Sequence, residues 1–390
     1  MMLFFRNRWC NIRIRRFLGL FFLFTVPSLL TAWPLYSPTW GFSLDLPEGY
    51  IYAEGNDVDR YSFNGPNDAK FDIAVYENVY SDIEEMAKDI NRRLGNTGDS
   101  AFFTYNDRDA VLIVLDFIGY AGWGLCVELG ARMGENPPMM VALAYSPVEI
   151  EDMDFFHFSA INSIAPTYAE MYMPGPIMEF GYLRGDMEEI PITGTTLTAL
   201  MCENDAEAAQ ALVDIEYLLL IRYKDSEYWK EAWIRFYRMI YRDSWDRIKD
   251  AAIKLVRYWD AGIYSEAGKR AFAGKALSWV QNFDYERNLE GSDFVNLVSS
   301  ITEGKGDCDC RSMLWAIILT HADIPAAMMV SEEHNHAMGL ADIAGSGARF
   351  QAEGISWLVA ETTATIDIGL IDQEMSNSDA WLGIIFYLPE

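Results

Sequence analysis

The residues that could do chemistry cluster late in the chain. Gly306-Asp307-Cys308-Asp309-Cys310-Arg311-Ser312 runs straight into an apolar stretch, Met313 to Leu319. This pattern predicts a helix that begins at Cys308. The unpaired N–H groups of the first turn and the positive end of the helix dipole then favour thiolate over thiol. Gly306 lets the backbone turn tightly and leaves room for a substrate. A thiolate attacks carbonyl carbon, but acyl transfer also needs a base and a group that orients it. Downstream, Ser331 to Leu340 carries His334 and His336, and Trp357 to Thr363 carries Glu361, both in strand-like settings. Taken on the residues alone, the two histidines are nearly equal candidates for the base. Gly306 and the helix start favour Cys308 over Cys310 as nucleophile.

The same stretches offer four possible metal ligands in Cys308-x-Cys310 and His334-x-His336. Structural zinc sites space cysteines by two to four residues and histidines by three to five. Residues two apart at a helix start also point in different directions. The expectation is therefore a triad with no metal and no other cofactor.

The ordered set Gly306-Asp307-Cys308-Asp309, Ile324-Pro325-Ala326, His336-Ala337, and Trp357 with Glu361-Thr362-Thr363 resembles the transglutaminase-like superfamily of papain-type cysteine enzymes. Val280 to Tyr285 is similar to the segment that precedes the nucleophile in that family. The resemblance spans about residues 270 to 368. It implies Cys308 as nucleophile, His336 as base and Glu361 as the orienting acid, where most members have aspartate. Met338 stands where an aromatic often follows His-Ala, Asp323 where a glycine is usual, and Ala327 where an arginine is usual. The implied chemistry is attack of the thiolate on an amide, with a thioester intermediate. The oxyanion would be held by the Cys308 N–H and a second donor, for which Gln281 or Asn282 is the candidate. Water as acceptor makes a peptidase or amidase, and an amine makes a transamidase. Hydrolysis of an envelope or extracellular peptide is the expectation, and an inactive envelope protein with a relic triad is the alternative.

The elements that must position these residues divide the 390-residue chain into several regions. Residues 1–32 read as a signal peptide. Arg6, Arg8, Arg13, Arg15 and Arg16 precede the apolar run Phe17 to Leu30, and Leu30-Thr31-Ala32 offers a cleavage site. Export to the periplasm or outside the cell is expected, with an N-terminal membrane anchor where the signal stays uncut. The net charge of −28 grows more negative once those arginines are removed. Such a surface repels nucleic acid and anionic membranes, which leaves a peptide or protein substrate as the expected partner. Cys126, Cys202, Cys308 and Cys310 remain after cleavage. Cys308 and Cys310 are too close to pair, and a Cys126–Cys202 bridge stays open.

Residues 40–165 read as an α+β domain with an antiparallel sheet. Strands are predicted at Gly41–Leu46, Phe71–Tyr76, Phe102–Tyr105, Val111–Leu115, Gly124–Leu129 and Met139–Tyr145, and helices at Asp82–Leu94 and Glu149–Ser163. The element order resembles that of small PsbP-like domains. His157, among phenylalanines, reads as packing. Residues 166–198, rich in Pro and Gly, read as a linker. Residues 199–390 combine a helical region with the transglutaminase-like core. In the helical region Trp229, Trp233, Phe236 and Tyr237 recur as a packing stripe. In the core, strands are expected at Ala326–Val330, Ala337–Ile343, Trp357–Thr362 and Trp381–Leu388, making a papain-like α+β layer.

Overall fold

The computed structural model of the chain describes residues 34–56, 58–130, 137–259, 262–287 and 291–386. The expected signal peptide lies outside the described residues. The fold is α+β. Among the described residues no helix is long and apolar enough to cross a membrane.

The N-terminal region is built on a seven-stranded antiparallel sheet. Its spatial order is Ile51–Gly55, Arg60–Asn64, Lys70–Tyr76, Met139–Pro147, Tyr120–Glu128, Arg108–Phe117, Ser100–Tyr105. Side chains alternate across the pleat, so its two faces bury different partners. Phe71, Ile73 and Val75 pack with Ala160, Ile161 and Ile164, at and just beyond the end of the helix Asp154–Asn162. Ala74, Val111 and Ile113 pack with Ile83, Met86 and Ile90 of the helix Ile83–Leu94. That helix starts where the Asp82 carboxylate accepts the Glu85 N–H and stops at left-handed Gly95. Burial of both faces explains why Val111, Leu112 and Ile113 are apolar in succession, with Leu115 again buried beyond exposed Val114. The strand Ile51–Gly55 escaped prediction because every residue in it is exposed, so it has no in-and-out pattern to read.

The expected linker is not loose. Residues 166–198 hold a 3-10 turn at Tyr168–Tyr172, a helix at Pro176–Gly181 and a strand at Met187–Pro191 paired with Thr198–Cys202. Tyr172, Ile177 and Met178 are buried. Pro176 begins a helix there, where its missing N–H costs nothing, so proline marked a start and not a gap.

Four helices follow, Asp205–Arg222, Trp229–Arg247, Lys249–Trp259 and Glu266–Gln281. Three arginines of Trp229–Arg247 reach into the N-terminal region. Arg235 donates to Glu216 Oε2 (2.8 Å), Ser159 Oγ (2.7 Å) and the Asp45 carbonyl (2.9 Å). Arg238 grips both Asp45 carboxylate oxygens, at 2.8 and 2.9 Å. Arg242 donates to the carbonyls of Ser163, Ile164 and Met173. Buried charges hold only when every donor is used, so these bonds fix the two regions against each other.

The C-terminal sheet has five antiparallel strands in the order Arg349–Ala352, Ile355–Ala360, His336–Ala341, Ala326–Ser331, Leu382–Ile384. Ala326, Met328, Val330, Ala337 and Ala341 share a core with the helix Cys308–Thr320. Ala327, Met329, Met338 and Leu340 form a second core with Trp357 and Trp381. Helix and sheet touch most closely at Gly339, where an added Cβ would stand 2.5 Å from the Trp315 ring. Trp315 is wholly buried, with its N–H on the Ala273 carbonyl, so it has nowhere to move. Gly339→Ala is therefore expected to destabilise the protein by about 1–3 kcal/mol. Urea unfolding would measure this, and an unchanged midpoint would show that the contact is slack.

Candidate active site

The cysteine helix begins where the sequence places its cap. The Asp307 carboxylate accepts the Cys310 N–H at 3.0 Å, and Cys308 is the first helical residue. Gly306 precedes it with φ +152°, a conformation L side chains rarely adopt. A Cβ there would meet the Cys310 sulfur at 1.9 Å. The space beside Gly306 is therefore filled by Cys310, where the sequence reading had left it for substrate. Arg311, buried behind the turn, donates to the carbonyls of Gly306 (3.0 Å) and Phe283 (2.8 Å). Gly306 in turn donates to the Asp284 carbonyl. The approach to Cys308 is thus fixed from behind by the segment after Gln281.

His336 opens the strand His336–Ala341, and Glu361 follows the end of the neighbouring strand Ile355–Ala360. The two meet, with His336 Nε2 2.7 Å from Glu361 Oε2. The other carboxylate oxygen accepts the Thr363 N–H (2.7 Å) and hydroxyl (2.5 Å). Burial pushes the Glu361 carboxyl upward, but the His336 and Thr363 bonds outweigh it and hold the group below its ordinary value. Thr362 bonds Ser312 of the cysteine helix, hydroxyl to hydroxyl, at 3.0 Å. Because Nε2 is taken by the carboxylate, Nδ1 is the ring nitrogen left to receive a proton.

Cys308 is buried, 4% exposed. Its thiol donates to Asp309 Oδ1 at 3.3 Å, and the other Asp309 oxygen accepts the hydroxyl of buried Tyr237 at 2.5 Å. Among the described residues no hydrogen bond joins the thiol to His336. The sulfur and the Asp307 and Asp309 carboxyls lie within 4.8 Å of one another. Burial first, then the Asp309 and Asp307 carboxyls, push the thiol well above its ordinary value; the Ala337 N–H beside the sulfur pulls the other way. These surroundings therefore work against the preformed thiolate that the helix start predicts. The helix end favours an anion, but burial beside two acids opposes it more strongly.

Gln281 was a candidate oxyanion donor. Its amide donates to the Glu361 carbonyl at 2.8 Å and the Ile366 carbonyl at 2.9 Å. Both N–H groups are used, so Gln281 anchors the Glu361 loop. Asn282 donates to the Ser278 carbonyl on the surface. The four candidate metal ligands of the sequence do not converge. Cys310 turns to Ser300 and the Asp307 carbonyl. His334 lies in the turn before the strand, with its ring 5.5 Å from that of Trp381. Among the described residues, the group of ligand type that does come together is Asp307, Cys308 and Asp309. It sits at the positive end of a helix, a poor place for a cation. Two hollows elsewhere do not touch the triad. One of about 30 Å³ is lined by Asp45, Arg238 and Arg242, and one of about 350 Å³ by Trp123, Phe155 and Phe158. Sequence reasoning missed Tyr237, Asp309 and Thr363 as partners of the site. Asp309 stood in the motif itself and was the signal available.

No family model matches the chain, and no curated protein matches it at a significant level. Among solved structures, cyanobacterial PsbP (CyanoP) from Synechocystis sp. PCC 6803 is similar at 11% identity and a TM-score of 0.28, over 37% of this chain and 98% of that one. A crystal structure from Bacteroides thetaiotaomicron VPI-5482 is similar at 9% identity and a TM-score of 0.25, over 84% of this chain and 89% of that one. Likenesses this loose carry no argument about function.

The Glu361 carboxyl ionises more readily folded than unfolded. It therefore contributes stability that is present above its ordinary value of 4.5 and is lost as pH falls through the lower folded value. Glu361→Gln is expected to flatten that acid limb and to cost about 1 kcal/mol at neutral pH. Urea unfolding at neutral and acid pH checks this, and parallel curves for the two proteins would contradict it.

Proposed function

We propose that this chain is an exported transglutaminase-like cysteine enzyme that acts on amide bonds through Cys308, His336 and Glu361. The observation that supports the reading best is the clamped His336–Glu361 pair, 2.7 Å apart, beside the strand whose Ala337 N–H faces the Cys308 sulfur. In this mechanism the Cys308 proton passes to His336 Nδ1 while Glu361 holds Nε2. The sulfur attacks the carbonyl carbon, and the oxyanion takes the Cys308 N–H. The imidazolium then protonates the leaving amine, and a thioester remains. Water releases the acid, which makes the enzyme a peptidase or amidase. An amine acceptor in place of water would make it a transamidase. The substrate is a peptide or protein outside the cytoplasm.

One observation favours a second reading, an inactive binding or structural protein. The sulfur is buried and bonded to Asp309 instead of the ring. The two readings part on a simple acyl donor. After p-nitrophenyl acetate treatment, mass spectrometry is expected to find an acetyl group on Cys308. The adduct should be absent in Cys308→Ala and form about 10²-fold more slowly in His336→Ala. Equal acetylation with and without the imidazole, or none at Cys308, would leave the inactive reading standing.

A further inference from the structure

Asp309 does something the triad does not require. It lies one residue beyond the nucleophile, within the cysteine helix. One of its oxygens takes the Cys308 thiol hydrogen and the other takes the Tyr237 hydroxyl. Tyr237 is 2% exposed and sits between Arg235 and Arg238, the residues that pin its helix to the N-terminal region. The second oxygen of the carboxyl is therefore held from a helix that buried ion pairs pin in place. The first oxygen faces the sulfur at hydrogen-bond distance. We propose that Asp309, fixed by Tyr237, is a positioning residue that keeps the Cys308 thiol protonated and turned away from His336 until substrate engages it. This rests on the triad reading above.

The groups facing the sulfur make the device self-consistent. From its own helix come Asp307 and Asp309. Tyr237 approaches from the helix Trp229–Arg247, Tyr285 and Arg287 from the segment before the thiol, and the Ala337 N–H from the sheet, while Asp293 acts on the two carboxyls and His336 on Asp309. Three of these are acids, and one cation, Arg287, is already paired with Asp293. Burial pushes the Asp309 carboxyl up, while its bonds to Tyr237 and Cys308 and the nearby His336 ring work the other way. The Asp309 carboxyl thus holds the thiol hydrogen, and the His336 ring lies near that carboxyl. At rest the thiol keeps its proton, on Asp309. On engagement the sulfur leaves Asp309, and the same proton moves to His336 Nδ1. No bond forms or breaks other than S–H and N–H, and no co-reactant is needed.

The test is a pH titration of thiolate ultraviolet absorbance in the full chain, taken as the difference from Cys308→Ala so that access of a reagent does not matter. In the unmodified protein the Cys308 signal should be absent below about pH 8.5, the value of an ordinary thiol. Asp309→Asn should bring the onset down by about one pH unit, which is about tenfold more thiolate at a given lower pH. His336→Ala should leave the resting titration unchanged, since the ring does not hold the resting thiol. A low onset in the unmodified protein, or a rise in onset in His336→Ala, would overturn the proposal even if Asp309→Asn does not fold. So would an Asp309→Asn curve that overlays the unmodified one. None of these results bears on whether acetylation of Cys308 depends on His336, so failure here and failure of the triad reading are separable.

Discussion

The 2.7 Å bond between His336 and Glu361 is the constraint on which the rest of the site depends. A buried carboxylate is costly unless its oxygens are satisfied. Here one oxygen takes the imidazole and the other takes two bonds from Thr363. The loop that carries it is tied in turn to Gln281 at the end of one helix and to Ser312 in the cysteine helix. Three separate elements therefore agree on where the ring must stand. The register between His336–Ala341 and Ile355–Ala360, with Gly339 opposite Ala360, brings the two side chains to one end of the sheet.

The second constraint comes from outside this core. The helix Trp229–Arg247 uses Arg235, Arg238 and Arg242 to bind the N-terminal region, and Tyr237 to touch Asp309 beside the thiol. Buried arginines of this kind contribute little net stability but fix geometry strongly, because a lost partner leaves an unpaired charge in the interior. The N-terminal region thereby sets the position of a group one residue from Cys308. It does so through ordinary hydrogen bonds and needs no ligand.

Much of the local structure was legible in the sequence. The helix Cys308–Thr320 follows from a glycine, a capping aspartate and an apolar run. The strands predicted at Phe102–Tyr105 and Val111–Leu115 follow from short aromatic and β-branched runs, and they pair as a hairpin. The strands Ile51–Gly55 and Arg349–Ala352 were not legible, because each lies at a sheet edge with little buried surface. At the site, Cys308, His336 and Glu361 were nameable from their types, order and resemblance. The Tyr237–Asp309 bond was not, since 72 residues separate the partners and Tyr237 belongs to an aromatic stripe that otherwise only packs. Gln281 shows the converse limit. A side-chain amide at the right distance along the chain looks like a donor, and only the fold reveals that both its N–H groups are used. The burial of Cys308 was hidden for a similar reason. A helix start is visible in sequence, but burial between two acids is not.

The account stands on whether the sulfur can leave Asp309 and work with the imidazole. A crystal structure of the protein treated with a peptide aldehyde tests this most directly. The account predicts a covalent bond from Cys308 Sγ to the former carbonyl carbon, His336 Nδ1 at hydrogen-bond distance from the adduct, and the Nε2–Glu361 bond retained. A sulfur left unmodified and still on Asp309, or an adduct formed with the ring out of reach, would contradict it.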